Sequence, residues 1–278
     1  MVKQAKSCKI IFFPLTLIFS LLENYFFLEH LNNFDLFTIM SVTYFIAGII
    51  KGIIGIGLPT TGMAILCFFV NPITALGLNL IPMTISNLWQ FYRADNRLQI
   101  IKDYKYFVIS IIGFLLISSF FAAKIGNQLV SAIFGSMVLL FVITNSLSIK
   151  FEKIKVNDVK LQFVFGGLSG LIGGITSLWA LPITIYLFIK DVSPKHFVDV
   201  SGFFILMGCF PVFLGYYSTD VLSNEMFKYG LMGALFSLIG FYIGEKIRGG
   251  IKKDLFKKLL LIFFTFIAIK MIFDAFFK

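Results

Sequence analysis

Long apolar runs recur along nearly the whole chain, each near the roughly 20 residues that a helix needs to cross the hydrocarbon core of a bilayer. With 58% hydrophobic residues, 36 phenylalanines and 14% charged residues in 278, there is more apolar surface than one soluble core could bury, and no soluble domain of any size is left over. The chain is therefore an all-α polytopic membrane protein whose first partner is the lipid bilayer. A net charge of +10 would point to nucleic acid in a soluble protein. Here the basic residues sit in short clusters between apolar segments, which is how topology is set in a membrane, so no nucleic-acid partner is expected. Cys8, Cys67 and Cys209 are odd in number and scattered, without metal-ligand spacing, and read as free thiols. With two histidines and no H-E-x-x-H, paired-cysteine or Walker-type motif, neither a metal nor another cofactor is expected. Lys3, Lys6 and Lys9 precede an apolar stretch from residue 10 to about 28, the layout of a signal sequence. Glu23, Asn24 and Glu29 follow without a small-residue cleavage site, which favours a retained helix.

The chain contains two copies of one pattern. "GIIKGIIGIGLP" runs from Gly48 to Pro59, and "GGLSGLIGGI" lies around residue 166. A shift of 118 places Gly48, Gly52 and Gly55 on Gly166, Gly170 and Gly173; after a short insertion, Pro59 matches Pro182 and Pro72 matches Pro194. Each half reads as a glycine-rich element followed by three ordinary spans: about 38–70, 72–92, 105–123 and 127–148, then 160–189, 195–217, 226–246 and 255–276. The organisation is an N-terminal basic end and extra hydrophobic segment (1–36), a first repeat (37–149), a basic linker (150–159) and a second repeat (160–278).

Basic clusters fall at Arg93, Arg97, Lys102 and Lys105, at Lys150, Lys153, Lys155 and Lys160, and at Lys246, Arg248, Lys252, Lys253, Lys257 and Lys258. All three are expected on the cytoplasmic side. They share a side only if each glycine-rich element enters and leaves on the same face, as a hairpin does. The second half would then be inverted relative to the first, the plan of many secondary transporters, with the breaks near mid-membrane. Irregular backbone at that depth is tolerated where protein buries it or it lines a cavity. The simpler reading is that Gly48, Gly52, Gly166 and Gly170 are G-x-x-x-G packing positions, and the two readings can coexist.

Around the breaks stand Lys51, Gly55, Gly57, Pro59, Thr60 and Thr61 in the first copy, and Ser169, Gly173, Gly174, Thr176, Ser177 and Pro182 in the second. Freed N–H groups at half-helix N-termini and small hydroxyls suit an anion, and Lys51 would add a full charge with no acidic residue in either cluster. Its alternative is snorkelling to an interface. Asn79, Asn87 and Gln90 could add polar contacts, whereas Trp89 and Tyr92 read as interfacial anchors. His196 and Asp199 could couple protons, or be solvated at the membrane edge beside Pro194 and Lys195. "GLSG" at 167–170 also matches an intramembrane serine protease pattern, with His196 available to Ser169. The first copy carries Lys51 at the position of Ser169, which argues against a hydrolase.

The duplicated "GIIKGIIGIGLP" and "GGLSGLIGGITSLWALP", each followed by a proline-led helix ("NPITALGLNL", "SPKHFVDVSG"), resemble the TauE/SafE sulfite exporter (TSUP) family over about residues 40–276. The resemblance implies a cell-membrane carrier of small sulfur-containing anions such as sulfite or sulfonates, and no enzyme. It nominates Gly55, Gly57 and Pro59, and Gly173, Gly174 and Pro182. The first copy departs by Ile56, and the second continues with Ile175 and Thr176 in place of a longer glycine run. A passive anion channel and an accessory membrane subunit are the competing readings, and the sequence leaves a homo-oligomer open.

Overall fold

A computed structural model describes residues 33–146, 157–248 and 253–277. The expected 10–28 segment, Cys8 and most of the basic linker lie outside the described residues. Among the described residues there are eleven helices and no strand: α1 Asn33–Ile54, α2 Leu58–Leu66, α3 Pro72–Tyr92, α4 Arg97–Asp103, α5 Lys105–Ile125, α6 Asn127–Ser146, α7 Asp158–Thr176, α8 Ala180–Ile189, α9 Pro194–Ser218, α10 Asn224–Ile247 and α11 Lys253–Phe277. Six of them are long and apolar enough to cross a membrane.

Both glycine-rich elements are broken, for local reasons. Gly55 and Gly57 have φ of 94° and 106°, a region open to glycine without steric cost. Pro59 falls in the first turn of α2, where its missing N–H loses no helical bond. In the second half Ser177 takes φ 57° and ends α7. The following spans start alike: Pro72 behind Asn71, whose side chain accepts from Thr74 N–H, and Pro194 behind Ser193, whose hydroxyl accepts from His196 N–H.

The 118-residue register holds for packing but not for the break. Helices α1 and α7 end at Ile54 and Thr176, 122 positions apart, so the insertion adds about one helical turn to α7. Gly173 and Gly174 therefore sit inside α7, against Trp179 and against Ser118 and Ser119 of α5, and do not form the break as the alignment with Gly55 had it.

The most extensive packing is exchanged between halves. Helix α1 lies along α10 and α7 along α5, while α3 meets α9 and α6 meets α11. At the first contact Gly48 and Gly52 face the backbone of Ser237, Phe241 and Gly244. At the second, Gly166 and Gly170 face Phe107, Ser110, Ile111 and Phe114. In hydrocarbon, side-chain burial gives helices no hydrophobic gain over lipid, so close backbone approach through small residues drives the contact.

Both broken elements fold back as hairpins. Asp158 at the start of α7 pairs with Lys190 after α8 at 3.1 Å and accepts from Tyr186 Oη at 3.2 Å, while Gly62 of α2 abuts the ring of Tyr44 on α1. One face of the bundle gathers the ends of α1, α3 and α10 and the starts of α5, α7 and α9. Arg93 bonds Glu245, Arg248 bonds Gly52 O, Gln162 bonds Asp103 O and Phe107 N–H, and Tyr104 bonds His196. The long helix of the first hairpin reaches this basic face with its C-terminus, and that of the second with its N-terminus. The break at Gly55 is consequently near the basic face: Gln90, three residues inside Arg93, donates to Gly55 O at 3.1 Å.

Replacing Gly52 by leucine is expected to destabilise the protein by about 1–3 kcal/mol through overpacking. Gly113→Leu, where nothing lies within 4 Å of the new Cβ, should be near neutral; thermal unfolding of the detergent-solubilised variants measures both.

Candidate functional site

The two breaks face a common void. A cavity of about 40 Å³ is lined by Ile50, Ile54, Ile56, Gly57 and Thr60 from the first hairpin, by Leu178, Ala180 and Leu181 from the second, and by Met137, Val138, Phe141 and Phe264. That exceeds the ~10–15 Å³ required by one water. The N-termini of α2 and α8 both begin here, and the first N–H groups of a helix have no intrahelical partner and carry partial positive charge. Nearby polar groups lack hydrogen-bond partners: the hydroxyls of Thr60 and Thr61 and the indole N–H of Trp179, all buried. The hydroxyl of Thr176 is occupied, bonding Ile172 O and accepting from Leu178 N–H, and Pro182 lies in the first turns of α8.

Lys51 is 1% exposed, so it does not snorkel. Its ammonium donates to Asn87 Oδ1 at 2.7 Å and Ser86 Oγ at 3.1 Å on α3, and stands 5.9 Å from the centre of the Phe241 ring. No carboxylate among the described residues pairs with it. An ammonium has three donors, so one remains. Lys51 shares α1 with Ile50 and Ile54 but does not line the cavity; the structure places its charge behind the wall rather than in it. Asn79 is structural, bridging Tyr44 Oη and Pro59 O and so tying α2 to α1 and α3.

A larger vestibule of about 560 Å³ opens at the basic face, lined by Ile53, Ile54, Gln90, Arg93, Pro194, Lys195, Val198, Asp199, Phe241, Glu245 and Arg248. Gln90 sits at its inner end, with Nε2 donating to Gly55 O and to Val198 O, one carbonyl from each half. Asp199 is on its wall at 8% exposure. His196 lies to the side, its Nε2 3.0 Å from Tyr104 Oη. Burial and the carboxylates of Asp103 and Asp158 push Tyr104 up to about 12, so the phenol stays protonated. Ser169 is buried with its hydroxyl on Phe165 O at 2.7 Å, one turn back in its own helix, so the Ser169 and His196 pair of a hydrolase is not assembled.

A family model described as "Sulfite exporter TauE/SafE" matches residues 40–271. The chain belongs to this family. No curated protein and no solved structure matches it. As a TauE/SafE member it is a multi-pass membrane protein of a transporter family, and the match covers both hairpins and the long helices that follow each of them. Of the motif residues, Gly55, Gly57 and Pro59 form the first break, whereas Gly173 and Gly174 serve helix packing and Ser177 makes the second turn.

In this TauE/SafE chain the sequence reading missed one buried ion pair. Lys270 on α11 donates to Asp274 at 2.5 Å and to Cys67 O at 3.1 Å, at the C-terminal end of α2. A cation there satisfies an orphan carbonyl and complements the helix dipole. The signal was present, two opposite charges at i, i+4 in an apolar span, but that span was read as ordinary. Ser86 was also overlooked, because a lone serine on a membrane helix is commonplace.

Asn87→Leu is expected to cost about 1.5–3 kcal/mol, the worth of a hydrogen bond to a charged group. In the double variant with Lys51→Met the loss should be largely relieved, and a double-mutant cycle on thermal unfolding reads the coupling.

Proposed function

We propose that this protein is a secondary carrier that moves a small sulfur-containing anion, sulfite or a related sulfonate, across the cell membrane by alternating access around its two hairpins. The observation that carries this reading is the convergence of two half-helix N-termini, with the unpartnered Thr60 hydroxyl, on one small cavity. Such ends favour a negative charge without requiring a side-chain cation at the ligand. Lys51, buried without a carboxylate, adds a positive field from behind the wall, and in low dielectric that field is weakly screened.

In this reading the two halves are inverted repeats, and the packing exchanged between them supports it. The vestibule is the access path from the cytoplasm, and Gln90 closes it by bridging Gly55 O and Val198 O. Asp199 on the vestibule wall, with His196 beside it, is the candidate for proton coupling. The substrate is bound by Gly57, Thr60 and Thr61 on one side and by the backbone of Ser177 to Pro182 on the other.

Radiolabelled sulfite flux into proteoliposomes tests the proposal. Saturable uptake, accumulation against a gradient, and competition by sulfonates are expected. Lys51→Met should lower kcat/KM at least tenfold. Flux that only equilibrates would identify a passive channel, and the absence of flux for sulfite, sulfonates and thiosulfate would overturn the substrate class. Cysteine tags at 95–105 and at 150–160 should both report the cytoplasm; labelling on opposite sides would overturn the inverted arrangement.

A further inference from the structure

On the outer side of the basic face, α3 and α10 leave an open groove of about 730 Å³, lined by Trp89 and Arg93 from α3 and by Leu238, Ile239, Tyr242, Glu245, Lys246 and Arg248 from α10 and its end. Its lining is apolar at Leu238 and Ile239, and the same helix continues toward the bundle middle with the exposed Leu235 and Leu231. Toward the basic face come the aromatic rings of Trp89 and Tyr242, then the cations. The Arg93 guanidinium lies 6.0 Å from the Trp89 ring centre, and Lys246 Nζ lies 4.4 Å from that of Tyr242. Amphipathic rings settle at the headgroup level of a bilayer, so these contacts hold the two cations at that depth.

The charges do not cancel. Glu245, the groove's carboxylate, is taken by Arg93 at 2.5 Å. Arg248 places Nε and Nη2 on the carbonyl of Gly52, and among the described residues neither it nor Lys246 has a carboxylate partner. The groove thus presents two uncompensated cations above an apolar strip that faces the lipid. A soluble anion would match the cations and leave the strip unused. A zwitterionic lipid would bring a second cation to a site whose carboxylate is already paired.

We propose that this groove binds an anionic phospholipid, its phosphate on Lys246 and Arg248 and its acyl chains along Leu238 and Ile239 and onto the exposed Leu235 of α10. The inference is independent of the transported substrate. It also reaches the site: Arg93, Glu245 and Arg248 form the partition between groove and vestibule, and Arg248 caps the end of the helix that carries Lys51.

Native mass spectrometry of the purified full chain, offered phosphatidylglycerol and phosphatidylcholine in equal amount, tests it. Retained phosphatidylglycerol is expected in preference to phosphatidylcholine. Cations near a membrane surface contribute about fivefold each to anionic-lipid affinity, so Lys246→Gln with Arg248→Gln should lower retention about 25-fold, and the exposed Lys246→Gln alone about fivefold. The double variant Lys102→Gln with Lys105→Gln removes the same charge from the same face outside the groove, and should retain lipid as the parent does. Glycerol phosphate at millimolar concentration should fail to displace the lipid. Equal retention of the two lipids, an equal loss in the Lys102 and Lys105 variant, or displacement by glycerol phosphate would each overturn the proposal.

Discussion

Every peptide group that leaves a helix inside hydrocarbon must find a partner or face a cavity, and this requirement governs the rest of the structure. The chain breaks its helices twice within the bundle, at Gly55–Gly57 and after Ser177. At the first break the debt is met by side chains from elsewhere: Gln90 bonds the Gly55 carbonyl, Asn79 bonds the Pro59 carbonyl and Arg248 bonds that of Gly52. At the other end of α2, Lys270 bonds the Cys67 carbonyl. Among the described residues, the hydroxyls of Thr60 and Thr61 and the indole N–H of Trp179, at the starts of the two short helices, are left without a partner, as is Gln90 Oε1.

The same constraint explains the glycines. A hairpin with polar groups at its tip needs close walls, and α1 and α7 obtain them by laying glycine faces against α10 and α5. Because each long helix packs on a span of the opposite half, neither half is complete without the other. The duplicated pattern is thus a device for one shared core. The basic face then becomes the place where both halves meet through polar contacts, with Arg93 on Glu245 and Lys195 on Asp95 flanking the vestibule.

Buried charge is handled in two ways. Lys270 has its carboxylate four residues away, so the pair is locally neutral and serves to anchor α2. Lys51 is held by two neutral acceptors only, which solvates the ammonium without neutralising it. An ion without a counter-ion in a low-dielectric interior is costly, and here the cost is offset by those two hydrogen bonds.

Much of the fold was legible in the sequence. The long helices, the proline-led starts of α3 and α9 and the first break follow from apolar run length, from proline's place in a first helical turn and from glycine's tolerance of positive φ, all of which are local. The duplicated motif pointed to the family and to the turn at Gly55 and Gly57. Tertiary structure decided the rest. Gly173 and Gly174 look like break residues in an alignment, yet one extra helical turn leaves them on a packing face. Lys51 looks like a direct ligand, but Ser86 and Asn87, 35 and 36 residues on, hold its ammonium away from the cavity. Arg248 reaches Gly52 across 196 residues. The sequence by itself determined where helices run and where they must stop, because backbone chemistry acts over a few residues. Which freed groups are satisfied, and which stay open to a ligand, depends on side chains delivered from distant helices, and only the packed bundle decides that.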